Sequence, residues 1–152
     1  MTRRRILIVS SVLAAIVVSA WLIEGAMVGR PGAPQGAPGR TYSVAVVRDG
    51  SVVRRFSVTD LQALPQSRIV VDDKEQDGPT VRSVLTASGV DDFERLTVKG
   101  AGLRDDGALS LPATRVDDTL LLDFSDRGTV KVCSPAIDWG DWVRDVSELR
   151  VD

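Results

Sequence analysis

The hydrophobic pattern divides the chain into two regimes. From Ile6 to Ile23 it is an 18-residue apolar run, relieved only by Ser10, Ser11 and Ser19. At 1.5 Å per residue such a run makes a helix about 27 Å long, close to the hydrocarbon thickness of a bilayer. Arg3, Arg4 and Arg5 precede it, which predicts a cytoplasmic N-terminus, and Trp21 near its far end suits the membrane–water interface. The expected layout is a basic tail over residues 1–5, a single-pass membrane anchor over 6–23 and a Pro/Gly linker over 24–40. The alternative is a signal peptide cut near Val18-Ser19-Ala20, against which the apolar run continues through Trp21-Leu22-Ile23. Both readings place residues 41–152 on the extracytoplasmic side of the cell membrane.

Beyond Arg40 the pattern becomes short and mixed. Ser43 to Phe56 alternates around Asp49-Gly50, a strong hairpin signal. Ser57-Val58-Thr59-Asp60 resembles a capping box, opening a short helix with Leu61 and Leu64 on one face and Pro65 at its end. Arg68 to Val71 is β-branched and predicts a buried strand. Pro79 and Thr80 can start a second helix in which Val81, Val84 and Leu85 face inward and Gly89 supplies the stop. Five further strands are expected at Arg95–Lys99, Ala108–Leu111, Leu120–Phe124, Thr129–Cys133 and Glu148–Val151. Turn clusters such as Asp105-Asp106-Gly107 and Ser125-Asp126-Arg127-Gly128 separate them. The fold class is α+β and β-rich, with two short helices.

Composition narrows the function. Residues 41–152 number 112, enough for one domain with its own core and too few for two. The first forty residues carry a net charge of +4 and the whole chain −2, which leaves −6 on the domain. An acidic domain is a poor partner for nucleic acid or an anionic lipid surface. Arginine outnumbers lysine sixteen to three, a hint of a GC-rich genome. The chain has one cysteine and no histidine, so it offers no internal disulfide and few of the usual catalytic sets. No GxGxxG or Walker sequence is present.

The chemical candidates are few. Asp73, Glu75 and Asp77, followed by Gly78, have the spacing of the first half of a calcium loop. The second half fails, because Val84 stands where a bidentate glutamate is required, and a solvated acidic turn is the plainer reading. The paired aspartates Asp91-Asp92, Asp105-Asp106 and Asp117-Asp118 fall in expected turns, where aspartate is favoured for backbone hydrogen bonding. Cys133 sits in an apolar strand as a buried, inert thiol; a redox or intermolecular role is the alternative. Trp139-Gly140-Asp141-Trp142 is the densest aromatic cluster in the domain. Trp142 is expected to pack on the core and Trp139, beside glycine, to be exposed for contact with a partner.

Several of these pieces stand in the order used by the molybdopterin-binding oxidoreductase domain of the sulfite oxidase family, which the chain resembles in truncated form. Val58-Thr59-Asp60-Leu61-Gln62-Ala63-Leu64-Pro65 is similar to that family's Leu-Thr-x-x-Asp-Leu-x-x-Leu-Pro helix. Gly78-Pro79-Thr80-Val81 through Ala87-Ser88-Gly89-Val90 resembles the family's segment ending at Ala-Ala-Gly-Val. Val130-Lys131-Val132-Cys133-Ser134-Pro135 and Trp142-Val143-Arg144-Asp145-Val146 resemble its Arg-Leu-Val-Val-Pro and closing Trp-Val segments. The resemblance implies a sulfite-oxidase-like fold and a molybdopterin cofactor held by a cysteine thiolate after the third strand, with histidine and arginine on the pterin phosphate. Here Ile69-Val70-Val71 runs instead into Asp72-Asp73, and the chain has no histidine. A thiolate-seeking metal has no soft ligand at that place. The expectation is therefore no cofactor and no catalytic residues. The domain is expected to be a membrane-anchored binding or assembly module for a protein partner or small ligand. The alternatives are a molybdopterin-binding oxidoreductase subunit and a calcium-dependent adhesion or scaffold domain.

Overall fold

The computed structural model describes residues 41–102 and 107–152. The chain divides into Met1–Arg40 and Thr41–Asp152, and every described element belongs to the second unit. The basic tail, membrane anchor and linker, and the Asp105-Asp106 turn, lie outside the described residues. Among the described residues, no helix is long and apolar enough to cross a membrane.

The hairpin forms as the alternation predicts. Strand β1 (Ser43–Arg48) pairs antiparallel with β2 (Ser51–Ser57) across Asp49-Gly50. Their φ angles of 51° and 74° are the left-handed pair that a two-residue turn of this hand demands. Helix α1 (Val58–Gln62) opens with the expected capping box: the Ser57 hydroxyl accepts from the Asp60 amide and the Asp60 carboxylate accepts from the Ser57 amide. The Ser57 hydroxyl and amide together hold the Asp60 carboxyl below its ordinary pKa. Helix α2 (Val81–Ala87) is capped by Thr80, whose hydroxyl accepts from the Ser83 amide at 3.0 Å, and it buries Val81, Val84 and Leu85. Both helices are too short to persist alone and are held by these apolar faces.

Two short hairpins accompany the helices. Strands β3 (Gln66–Val71) and β4 (Lys74–Pro79) pair antiparallel, as do β7 (Leu121–Phe124) and β8 (Val130–Cys133). Strands β5 (Arg95–Ala101), β6 (Ala108–Pro112) and β9 (Arg144–Val151) join the first hairpin in a five-stranded sheet of order β2-β1-β9-β5-β6. Only β1 and β9 run parallel in it. The hairpins contact one another through Asp77 N–H to Asp123 Oδ1 at 2.8 Å and a bridge between Thr80 and Leu121. Strand β8 reaches the sheet through Val132 N–H to the Val143 carbonyl at 2.8 Å.

A main core and a smaller cluster result. Val44, Val46 and Phe56 from the first hairpin meet Leu61, Leu85, Leu96, Val98, Leu122, Val130, Val132 and Leu149, all fully or nearly fully buried. Tyr42 ties its edge: the phenol donates to the Val146 carbonyl and accepts from the Val130 amide. Burial pushes the Tyr42 pKa up to about 12. A smaller cluster of Leu121, Cys133 and Trp142 packs against Ile69, Val71 and Ile137.

Two expectations are corrected. The segment Lys74–Pro79 is a strand and not an acidic turn, because Asp72 and Asp73, at φ 49° and 60°, close a tight hairpin that registers Ile69 with Gln76. The strand at Arg68–Val71 is half-exposed, with Val70 59% accessible, because its hairpin is covered on one face only.

Candidate functional site

Alternation along β8 sends Val130 and Val132 into the main core and Lys131 and Cys133 to the opposite face. On that face the Cys133 thiol is fully buried beside Leu121 and Trp142, and burial pushes its pKa up to about 12, aided by the nearby Asp123 charge. Burial thus keeps the thiol protonated near neutrality. Lys131, on the same face, lies 5.6 Å from the Trp142 ring centre and 3.0 Å from Asp123 Oδ2.

This face opens into a groove of about 280 Å³ between the β7–β8 turn and the Trp139–Asp145 segment. The turn is fixed by its own hydrogen bonds. The Ser125 amide donates to the Thr129 carbonyl at 2.9 Å, the Gly128 amide donates to the Ser125 carbonyl at 3.0 Å, and the two side-chain hydroxyls meet at 2.9 Å. Across the groove, Asp145 Oδ1 accepts from the Thr129 hydroxyl at 2.7 Å and from Arg127 at 3.1 Å. That carboxylate therefore braces the rim.

The position of Asp145 comes from an irregularity in β9. Lys99 pairs with Glu148 and Ala101 with Arg144, so Gly100 stands opposite three residues of β9. Asp145 takes φ 47° to accommodate the excess. Gly100 is required there, because a Cβ would lie 2.4 Å from the Arg144 carbonyl oxygen. A bulge of this kind bends the strand and re-aims its side chains. Here it sends Arg144 over Trp139, 5.5 Å from the ring centre.

Both tryptophans of the aromatic cluster line this groove. Trp139, on a single 3-10 turn, is 58% exposed, whereas Trp142 is buried and its indole N–H donates to the Ile137 carbonyl at 3.2 Å. The sequence reading did not find Arg127, Lys131, Arg144 and Asp145. The alternation of Val130–Cys133 carried a signal for Lys131; Arg127 is placed by the β7–β8 turn, and Arg144 and Asp145 by a bulge whose trace in the sequence is the odd spacing of Val146 and Leu149.

The calcium candidates lie elsewhere, on the β3–β4 hairpin. Asp73 is in the turn, while Glu75 and Asp77 each lie 3.4 Å from the Arg68 guanidinium. A cation of this chain already stands between them. Among the described residues, no group of three or more His, Cys, Asp or Glu side chains is arranged to hold a metal ion.

No family model matches this chain, and no curated protein sequence matches it. Among solved structures, the sulfane dehydrogenase SoxCD from Paracoccus pantotrophus is similar, with a TM-score of 0.57 and 16% identity. The similarity covers 72% of this chain and 38% of the dehydrogenase chain. At that identity the likeness concerns the fold. It is consistent, as are the many strands and few helices, with the sulfite-oxidase-like architecture expected from the resemblance.

Proposed function

We propose that residues 41–152 are an extracytoplasmic binding module for a protein partner. The module is built on a reduced sulfite-oxidase-like fold and tethered to the membrane by residues 6–23. The observation that carries this reading is Trp139, an indole 58% exposed that lines a groove, with the Arg144 guanidinium 5.5 Å from its ring centre. Tryptophan and arginine beside a concave site are the side chains that most often anchor protein contacts.

The donor set argues against a resident molybdenum–pterin group. The place after the third strand, where the resemblance calls for a thiolate, holds Asp72 and Asp73 in a tight two-residue turn. The only thiol, Cys133, is sealed in the core on β8. Carboxylates in an exposed turn suit hard cations or water, not a soft metal site. The groove is also small for a cofactor of that size, at the lower end of ligand pockets. The rival reading, an oxidoreductase subunit that retains a pterin, draws on the likeness to a dehydrogenase chain.

The test uses the full chain, solubilised from its native membrane and purified through a C-terminal tag. The module reading expects a stoichiometric protein partner that Trp139→Ala loses, and molybdenum well below one atom per chain. Equal recovery with and without Trp139 refutes the assignment of this face. Molybdenum near one per chain establishes the rival. For the tether, protease added to cells stripped of outer barriers should cut within residues 31–40 and release the domain; a protected linker refutes the orientation.

A further inference from the structure

The groove has more positive charge than its own carboxylates neutralise. Its lining includes Arg127, Lys131 and Arg144 against Asp145 alone. Asp145 is committed to Arg127 and the Thr129 hydroxyl. Lys131 is satisfied from behind by Asp123, a mostly buried carboxylate that also accepts from the Asp77 amide. Arg144 differs. It makes no ion pair among the described residues, and its contact is the face of Trp139. This concentration of positive charge occurs in a domain whose net charge is −6, so it is a local feature and not a reflection of composition.

A guanidinium whose contact is an indole ring, at 5.5 Å from the ring centre, still has N–H donors to offer, and a carboxylate is the group that matches a guanidinium fork with two parallel bonds. The site is pre-set to receive one. The Arg144 backbone is fixed by the bulge against Gly100, and the opposite rim is fixed by the Asp145–Thr129 bond. No part of that frame has to move for an anion to enter. The volume, about 280 Å³, suits a side-chain-sized group with its flanking methylenes. Trp139 extends beyond the cavity and offers an apolar face to whatever residue adjoins the anion.

We infer that this groove receives an acidic side chain, presented by an exposed segment of the partner with an apolar residue beside it. Arg144 is the principal anion contact and Trp139 the apolar wall, with Lys131, already paired with Asp123, a weaker second cation. The inference rests on the binding-module reading and names the chemistry its partner must present. It also fixes an ionic signature: contact between exposed charges weakens as salt shortens the screening length.

The test measures binding of two capped heptapeptides, Gly-Ser-Leu-Glu-Leu-Ser-Gly and its Gln counterpart, to the full-length chain in neutral detergent. The indole N–H resonances of Trp139 and Trp142 provide the readout, and inorganic sulfate is a separate probe. The expected result is saturable shifts with the Glu peptide and at least tenfold weaker binding of the Gln peptide. Binding of the Glu peptide should also weaken between 50 and 500 mM salt, on the order of several-fold. Arg144→Gln should lower affinity about tenfold, and Arg144→Lys should restore only part of it. Arg144 is exposed, so both variants should melt with the native protein. The inference is overturned by no shift with the Glu peptide at millimolar concentration, by equal binding of the two peptides, or by indifference to Arg144→Gln. Sulfate binding without peptide binding also overturns it, in favour of a small-oxoanion site. The two readings fail separately. Loss of partner recovery in Trp139→Ala with equal Glu and Gln binding removes the acidic-residue inference alone. Arg144-dependent Glu binding with partner recovery unaffected by Trp139→Ala removes the protein-partner reading alone.

Discussion

Replacing Gly78 by alanine tests how the two small hairpins are joined. A Cβ on Gly78 would lie 2.0 Å from the Leu122 carbonyl oxygen and 2.8 Å from its carbon, inside β7. Both are backbone atoms of a strand paired to β8, so no side-chain rotation relieves the contact. Strand β4 must instead retreat by about 1 Å or more to reach ordinary van der Waals separation. That movement stretches the Asp77 amide bond to Asp123, now 2.8 Å, and the Val81 amide bond to the Leu120 carbonyl, now 2.9 Å. Two such bonds contribute about 1–3 kcal/mol together, and overpacking adds about 1–3 kcal/mol. Alanine recovers about 0.4–1 kcal/mol by restricting the unfolded chain. The net expectation is a loss of about 1–5 kcal/mol, or a fall in Tm of about 4–20 °C for a domain of this size. Thermal unfolding of the full chain followed by far-ultraviolet circular dichroism measures it, with Arg144→Gln as a substitution of an exposed site for comparison. A fall below about 2 °C, the range of ordinary surface changes, would refute the close approach of β4 to β7.

Other outcomes follow from the same core and its titratable groups. Leu85→Ala, at a side chain 1% exposed, should cost about 2–5 kcal/mol in denaturant unfolding, and a cost below about 0.5 kcal/mol would mean that α2 does not pack as described. Stability should fall as the pH rises from about 9 towards 12, because the folded state raises the Cys133 pKa from 9.0 to about 12 and the Tyr42 pKa from 10.0 to about 12. Each group then stabilises the fold below its unfolded pKa and loses that contribution as the pH approaches its folded one. Tyr42→Phe and Cys133→Ala should each flatten the alkaline limb, and an unchanged limb in both variants would contradict their burial. Millimolar calcium should leave Tm unchanged within about 1 °C, since Arg68 already stands between Glu75 and Asp77; a saturable rise would restore the calcium reading.

What could be read in advance was local. Asp49-Gly50 dictates a turn by backbone conformation, Ser57 and Asp60 cap a helix by hydrogen bonds three residues apart, and Val81, Val84 and Leu85 share a face by helical period. Each is settled within a few residues. Lys74–Pro79 was not legible as a strand because Lys74, Glu75, Gln76, Asp77 and Gly78 contain no β-branched or aromatic residue. Its strand character comes from pairing with β3 and from the approach of β7, both tertiary. Trp139 and Trp142 could be singled out by type. Their association with Arg144 and Lys131 could not, because it depends on where β8 meets an irregular β9.

The bulge in β9 also connects the fold to the groove. Val146, Leu149 and Val151 must face the core, yet Val146 and Leu149 are an odd number of residues apart, which a regular strand would place on opposite faces. The excess residues opposite Gly100 absorb that conflict and keep both in the core. The left-handed conformation of Asp145 that accompanies this adjustment brings its carboxylate to Thr129 and leaves Arg144 over Trp139. Packing and site geometry thus share one backbone irregularity. Gly100→Ala should therefore affect both, lowering Tm through its clash with the Arg144 carbonyl and altering the Trp139 indole resonance. A variant that lost stability while the Trp139 environment stayed native would show that the groove is organised independently of the bulge.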